Sequence, residues 1–268
     1  MSTVDEETRG TRPPAEVEIR IAAPVEEVWR ALTDAEELAR WFPLEARVEP
    51  GAGGSVWLSW GEGWSAGSRI EIWEPGRRLR AVSDRTDAGG RPVLLAVDYH
   101  LEPAEGGTVL RVVHSGFGRG AEWDQEYDAV SRGWKFELRS LRLYLERHRG
   151  TPRGVAWARV VTELTVDEVH RRVMGPEGLV AEGSLAGLEE GDPYRIAAAT
   201  GEVFAGRVLI NRPPGDFAGT VASLDDALLR YVYEVGTTSV WLSAWGVAEE
   251  TVRDFERRWQ AKLEGLLA

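Results

Sequence analysis

A short helical segment occurs twice in this chain. Residues 25–29, VEEVW, are matched by residues 166–170, VDEVH, and Leu38 is matched by Leu179, each at an offset of 141 residues. Apolar residues of the first copy recur at helical spacing, and Asp34 can cap a second short helix. Similarity at a fixed offset indicates a duplicated unit, so we predict two copies of one domain, the second more eroded than the first.

The first half shows a clear order of predicted elements. A strand near residues 16–22 precedes two short helices, at 25–33 and 35–41. Glycine-rich turns then separate alternating strands at 55–60, 68–74, 78–83, 93–102 and 108–115. A long helix with one apolar stripe follows, from about 121 to 149. This order predicts an α+β helix-grip domain, in which a curved antiparallel sheet wraps around the long C-terminal helix and leaves a cavity.

The second half repeats this order in a shorter form. A strand at 155–163 and a helix at 166–174 precede strands near 194–199, 202–205, 206–210, 217–222, 227–234 and 238–245, and a final helix at 248–267. We therefore predict tandem helix-grip domains. The predicted boundaries are a disordered tail at 1–14, a first domain at 15–149, a linker at 150–154 and a degenerate second domain at 155–268.

Two blocks of the first half carry a family resemblance. They run from Ala23 to Thr33 with Trp41-Phe42, and from Thr108 to Gly118 with the helix around Trp134. In these blocks the chain resembles the bacterial family named after the activator of the heat-shock-protein-90 ATPase, within the START-like (SRPBCC) superfamily. The resemblance covers roughly residues 15–149 and implies the helix-grip fold. It does not assign a chemistry, because this fold hosts carriers, cyclases, hydrolases and interaction modules.

Composition excludes several classes of function. The chain has 268 residues and no cysteine, so disulfides, thiolate metal sites and cysteine nucleophiles are excluded. A formal net charge of -12 argues against binding to nucleic acid or to an anionic membrane surface. No signal peptide or long apolar run is visible, so we expect a cytoplasmic protein.

Aromatic residues are the main functional signal. Eight of the 12 tryptophans lie in the first half, more than a solid helix-grip core accommodates easily, so we expect some to line a cavity. Any single ring can equally be plain core or rim packing. Trp64 is either a mobile lid or a surface-packed hairpin residue. The predicted ligand-binding residues are Trp57, Trp73, Tyr99, Leu110, His114, Trp134 and Leu138.

His114 is the strongest polar candidate. Alternation along the last strand of the first half puts it on one face with Leu110, and Tyr99 lies on the neighbouring strand. A histidine there can orient a ligand or transfer a proton, or it can be a satisfied sheet residue near the mouth of the cavity. No pair of histidines has metal-ligand spacing, and no acid–base pair or triad is recognisable. We therefore predict no catalytic residue, no metal site and no cofactor.

The sequence favours a cytoplasmic protein that holds a small hydrophobic or aromatic ligand in the first domain. The second domain is then a structural or dimer-forming element with a solid core. Expected partners are that small ligand and either a partner protein or a second copy of the chain, with neither nucleic acid nor membrane. Two alternatives remain: a co-chaperone-like modulator of another protein, which the resemblance implies, and a cyclase- or hydratase-type enzyme that uses His114 as acid or base.

Overall fold

The computed structural model describes residues 12–61, 63–87, 89–234 and 236–268. The chain divides into two compact units, one ending at Gly150 and the other running from Thr151 to Ala268.

Most of the predicted disordered tail, residues 1–11, lies outside the described residues. Arg12, which the sequence assigned to that tail, is held in place. Its backbone N–H donates to the Phe117 carbonyl at 2.8 Å, and its guanidinium donates to the Gly118 carbonyl at 2.9 Å. The first unit therefore begins its contacts before the predicted boundary at residue 15.

The described residues of the first unit form one seven-stranded antiparallel sheet and three α-helices. In chain order these are β1 (Ala15–Ile21), α1 (Val25–Thr33), α2 (Ala35–Ala39), β2 (Glu45–Glu49), β3 (Ser55–Ser59), β4 (Ser65–Glu74), β5 (Arg78–Thr86), β6 (Pro92–Ala104), β7 (Gly107–Ser115) and α3 (Asp124–Leu143). The strands lie in the order β1-β7-β6-β5-β4-β3-β2. A single 3-10 turn precedes α3 and a π-helical turn, Tyr144–His148, follows it.

The second unit has the same topology. Its elements are β8 (Arg153–Val161), α4 (Val166–Val173), β9 (Val180–Glu182), β10 (Pro193–Ala198), β11 (Val203–Arg212), β12 (Asp216–Val221), β13 (Ala227–Glu234), β14 (Thr237–Trp245) and α5 (Glu249–Leu267). The strands lie in the order β8-β14-β13-β12-β11-β10-β9, which matches the first sheet strand for strand. The predicted α+β tandem helix-grip architecture is therefore confirmed.

The repeated helical segment forms the first helix of each unit, because both copies carry the same signals. Val28 in α1 and Val169 in α4 are completely buried, and acidic residues occupy the first turn of each helix. In α4 the cap is reciprocal: the Thr165 hydroxyl accepts from the Glu168 N–H, and the Glu168 carboxylate accepts from the Thr165 N–H. Asp34 caps α2 as predicted, with its carboxylate accepting from the Glu37 N–H at 3.0 Å.

Two details of the strand prediction are wrong. Edge strands β2 and β9 have no counterpart in the prediction, because one is short and half exposed and the other has only three residues. Segments 202–205 and 206–210, predicted as separate strands, form the single strand β11. Gly206 lies within that strand, where a Cβ would stand 2.0 Å from the Thr220 carbonyl oxygen. This glycine allows a close backbone approach and does not mark a turn.

Candidate functional site

Strand pairing decides which side chains of the first sheet face α3. On β6 and β7, Val97 lies opposite His114 and Tyr99 lies opposite Val112. Because side chains alternate along a strand, these four residues share one face of the sheet. The Tyr99 and His114 rings both contact Trp134 of α3, so this is the face turned towards the helix, here called the inner face.

Trp134 is the centre of an aromatic cluster on the inner face. Its indole N–H donates a hydrogen bond of 3.2 Å to Nδ1 of His114. The Tyr99 ring meets the indole edge-on, with 5.8 Å between centroids and an interplanar angle of 83°. The Phe42 ring contacts it at 5.7 Å, and Trp60 meets Phe42 edge-on at 5.2 Å. Side chains from α3, from the sheet and from the segment after α2 thus converge on Trp134.

Phe42 owes its position to its neighbour Trp41. The Trp41 side chain is completely buried, and its indole N–H donates to the Ala31 carbonyl of α1 at 2.8 Å. The hydroxyl of Ser140 in α3 donates to the Trp41 carbonyl, also at 2.8 Å. Phe42 stacks on the Trp41 ring at 5.0 Å and 16°. These contacts fix Phe42 relative to both α1 and α3.

A buried carboxylate ties α2 to the end of α3. Glu37 is only 6% exposed, and it accepts hydrogen bonds from the Tyr144 hydroxyl at 2.5 Å and from the Arg40 guanidinium at 2.6 Å. The Tyr144 oxygen also accepts from the Gly150 N–H at 3.0 Å. Because a buried charge is costly unless it is paired and hydrogen-bonded, this cluster keeps α2 against the helix that carries Trp134.

Part of the inner face remains accessible. Val97 is paired with Ala81 of β5, and Ala81 is paired with Ile70 of β4, so these residues also lie on the inner face. The same face continues across β4 to β3, where Ser68 is paired with Val56. The inner-face side chains with intermediate exposure in this region include Val56, Leu58, Trp60, Ser68, Trp73, Ser83, Val97, Tyr99 and His114. We call this region the inner cleft. It is mostly apolar, and its two serines satisfy each other through a hydrogen bond of 2.8 Å.

One end of the inner cleft is closed. Phe117 and Trp123 pack with Leu95 in a buried cluster, and Tyr127 meets Phe117 edge-on at 5.4 Å. The His114 ring lies 4.8 Å from Phe117, between this cluster and Trp134. Packed aromatic side chains therefore border the inner cleft at this end.

Residues 22–146 match the family model described as activator of Hsp90 ATPase homolog 1-like protein, or AHSA1. This match covers most of the first unit, which is therefore AHSA1-like. No curated protein matches the chain.

Solved structures resemble the AHSA1-like unit or the whole chain. A crystal structure of a Mesorhizobium loti protein shares 26% identity, covers 49% of this chain and 95% of its own, and has a TM-score of 0.44. DynU16, a putative protein in the dynemicin biosynthetic locus, covers 96% of this chain and 97% of its own at 22% identity and a TM-score of 0.44. The di-domain ARO/CYC protein BexL from the BE-7585A biosynthetic pathway covers the same shares at 17% identity and a TM-score of 0.45.

Two kinds of site are not found in the part of the chain that the structure describes. None of its helices is both long and apolar enough to cross a membrane. The same residues contain no group of three or more histidine, cysteine, aspartate or glutamate side chains that could hold a metal ion.

Burial keeps the polar groups of the AHSA1-like cleft neutral. Desolvation lowers the pKa of His114 from 6.5 to about 4, because the charged imidazolium is disfavoured there. The same effect raises the pKa of the Tyr99 phenol above its usual value of 10. An indole N–H is only a donor, so His114 Nδ1 must be the acceptor and the single imidazole proton lies on Nε2.

Tyr99 and His114 each keep an unused hydrogen-bonding group. Among the described residues, neither the Tyr99 hydroxyl nor the Nε2–H of His114 has a hydrogen-bond partner. Both side chains are partly exposed, so the two groups can be reached from the cleft. The cleft therefore presents two donors that a bound molecule can satisfy.

The neutral state of His114 predicts a pH-dependent stability. Its folded pKa, about 4, lies below the unfolded value of 6.5, so between these pH values the unfolded chain binds more protons. We expect the free energy of unfolding to fall by up to about 3 kcal/mol on this account as pH drops from about 6.5 to about 4, and to change no further below that. Urea denaturation at several pH values measures this, and His114→Gln should remove this part of the slope. Identical slopes for both proteins would contradict the prediction.

The predicted site residues are only partly brought together in the AHSA1-like unit. The Tyr99 ring and the His114 ring both contact the Trp134 ring. Leu110 and Leu138 are completely buried, so they belong to the core behind the cleft. Trp73 and Trp29 meet edge-on at 5.2 Å, which places Trp73 against α1.

Trp57 is not part of the cleft. On β3 it alternates with Val56 and Leu58, which lie on the inner face, so it points to the other side of the sheet. There the Arg47 guanidinium lies 4.7 Å from the Trp57 ring centroid. The prediction assigned this tryptophan to the wrong face, since a shift of one residue along a strand reverses the side.

Two contact residues were missing from the predicted site. Phe42 and Trp60 complete the aromatic cluster around Trp134. For Trp60 a sequence signal was available, because Val56, Leu58 and Trp60 form an apolar series at every second position. Phe42 lies outside any regular element, and its contact with Trp134 could not be inferred from spacing.

The second unit arranges the polar groups of its inner face differently. Thr108 of β7 and Thr238 of β14 are both completely buried and lie at the same place after the preceding hairpin turn. If these two threonines are aligned, His114 corresponds to Ala244, since each lies six residues further along its strand. By the same register Leu229 stands where the AHSA1-like unit has Tyr99. Apolar side chains stand at these two positions, whereas Tyr231, two residues further along β13, has a buried hydroxyl with no hydrogen-bond partner among the described residues.

The interior of the second unit is filled. Trp259 of α5, predicted to correspond to Trp134, is 3% exposed and stacks on Phe255 at 5.0 Å. Its indole N–H donates to the Glu202 carboxylate at 3.2 Å, and Arg258 pairs with the same carboxylate at 2.8 Å. Inner-face residues of this sheet belong to one large buried cluster with α5. The partly exposed inner-face side chains of this unit, such as Val160 and Tyr233, pack against that cluster.

Proposed function

We propose that the AHSA1-like unit binds a small apolar or aromatic molecule in the inner cleft. The observation that carries the proposal is the pair of unpaired groups, the Tyr99 hydroxyl and the His114 Nε2–H, beside the Trp134 ring. Both side chains are partly exposed at the cleft. A ligand that supplies an acceptor can replace water at these donors, with a net gain of about 0.5–1.5 kcal/mol per hydrogen bond.

The lining of the cleft suits a flat, apolar molecule. Trp134, Phe42 and Trp60 present ring surfaces, and the inner strands add Val56, Leu58 and Val97. An aromatic pair stabilises by about 0.5–1.5 kcal/mol beyond the burial of its area. An aromatic ligand can therefore gain from both burial and ring contacts at this site.

The electrostatics favour binding over catalysis. A general base works best when its pKa lies near the working pH. His114, with a pKa of about 4, is a weak base at neutral pH. Its partner at Nδ1 is the donor Trp134 rather than a carboxylate that would stabilise an imidazolium. We therefore assign His114 a role in ligand orientation, and we assign the second unit, with its filled interior, a structural role.

Binding of the neutral dye N-phenyl-1-naphthylamine to the full chain tests this function. We expect its fluorescence to rise as it enters the cleft, with saturation at one molecule per chain. Val97→Phe places a larger side chain in the cleft between Tyr99 and His114 and should weaken dye binding by about tenfold, since added volume there competes with the ligand. Fluorescence titration measures both affinities.

Val113→Phe provides the matched control. Val113 has the same side chain on the neighbouring strand but faces the other side of the sheet, and it is also partly exposed. Dye affinity should be unchanged in this variant. Absence of dye binding to the full chain, or an equal loss in both variants, would refute the proposed function.

A further inference from the structure

The Trp134–His114 hydrogen bond determines what the cleft can recognise. With Nδ1 occupied by the indole N–H at 3.2 Å, the imidazole ring is oriented and its proton is confined to Nε2. Trp134 therefore converts a side chain that could donate or accept into a fixed donor.

Tyr99 adds a second donor next to the first. It is a diagonal cross-strand neighbour of His114, because it lies opposite Val112. Such diagonal pairs are about 7–8 Å apart at Cα. The Tyr99 and His114 rings meet the same indole, at centroid distances of 5.8 and 6.3 Å. One small ligand can therefore reach both groups.

The groups around Trp134 carry no compensating charge. Its ring contacts are Phe42, Tyr99 and neutral His114. A carboxylate entering this environment would lose its hydration without gaining a cation, which is strongly unfavourable. A carbonyl oxygen has two lone pairs, can accept from both donors and carries no net charge.

Building on the proposed function, we propose that the cleft selects uncharged aromatic ketones or quinones, whose carbonyl oxygen accepts from His114 Nε2–H and the Tyr99 hydroxyl. Trp134 is the positioning residue that holds His114 in the donating tautomer.

Displacement of N-phenyl-1-naphthylamine from the full chain by three naphthalenes tests the selectivity. The set is 2-acetonaphthone, its hydrocarbon analogue 2-isopropylnaphthalene and the anion 2-naphthoate. Each net hydrogen bond contributes about 0.5–1.5 kcal/mol, so with two bonds the ketone should bind at least about fivefold more tightly than the hydrocarbon, with the anion weakest. Equal affinity of ketone and hydrocarbon, or preference for the anion, would overturn the selectivity while dye binding still supports the proposed function. Failure of the dye to bind would instead refute the function itself.

Variants then separate recognition from packing. Tyr99→Phe keeps the ring and loses one donor, so the ketone-to-hydrocarbon ratio should fall several-fold. Trp134→Phe keeps a ring on α3 but cannot donate to Nδ1, and it should lower the same ratio. Trp57→Ala, on the other face of β3, should preserve it. A ratio that is unchanged in both cleft variants, or that falls equally in Trp57→Ala, would contradict the assigned donors.

The tautomer is directly observable by nitrogen NMR of histidine-labelled protein. The wild-type protein should show a pyridine-like Nδ1 and a pyrrole-like Nε2 for His114 at pH 7. Trp134→Phe should change this pattern towards a mixture of tautomers. The same Nε2–H pattern in Trp134→Phe would refute the positioning role, even if the variant were less stable.

Discussion

Trp134→Ala is expected to lower the free energy of unfolding of the first unit by about 3–5 kcal/mol. Trp134 is 7% exposed and touches the rings of Phe42, Tyr99 and His114. Its removal leaves a large cavity next to the cleft and deprives His114 Nδ1 of its donor. Both effects act in the same direction. Urea denaturation of the full chain, followed by circular dichroism, measures the change.

Trp57→Ala is the control for the loss of a tryptophan. Trp57 lies on a strand of the same sheet, but it is partly exposed and its ring contact is the Arg47 side chain on the outer face. We expect a loss of about 1 kcal/mol or less, as for most partly exposed positions. Similar losses in the two variants would mean that Trp134 is not a core residue.

Asp216→Ala is expected to destabilise the second unit by about 3–5 kcal/mol, because it removes the carboxylate that accepts two hydrogen bonds from the largely buried Arg230 guanidinium. The two side chains are 1% and 10% exposed, and the guanidinium donates two hydrogen bonds of 3.1 and 2.9 Å to the carboxylate. The pair links β12 to β13, where Asp216 lies opposite Val232. Thermal or urea denaturation of the full chain provides the measurement.

Two controls distinguish a buried charge from a lost contact. Replacing both partners, Asp216→Leu with Arg230→Met, should recover most of the stability, because apolar residues of similar volume often substitute for a buried ion pair. Glu249→Ala removes a surface partner of Arg253 in α5 and should cost at most about 0.5 kcal/mol. If the double variant were as unstable as Asp216→Ala, the cost would come from lost packing instead.

The fold could be predicted because its signals are local and repeated. The segment around Val28 and its copy around Val169 carry the same pattern of buried valines and acidic first turns. Glycine-rich turns and alternating apolar residues predicted most strands of the two sheets, and the long apolar stripes predicted helices α3 and α5. Edge strand β2 escaped prediction, since an edge strand exposes much of its length and shows little apolar alternation.

The cleft could be predicted only in part, because its members come from distant segments. Alternation placed Tyr99 and His114 on one face, and the helical stripe placed Trp134 opposite them. Trp57 was assigned to the wrong face because an alternating strand of apolar residues does not itself show which side the helix covers. Phe42 depends on hydrogen bonds from Trp41 to α1 and α3, and no spacing rule predicts such contacts.

The attachment of Phe42 has a mechanical consequence for what can enter. Trp134 is part of α3, and the segment that carries Phe42 is fastened to the same region through Ser140 and Tyr144. The positions of the Phe42 and Trp134 rings are therefore fixed relative to each other, and moving them apart requires breaking buried hydrogen bonds. Any adjustment to guest size should come from the adjoining β3–β4 turn, which presents Trp60 and the 45% exposed Trp64.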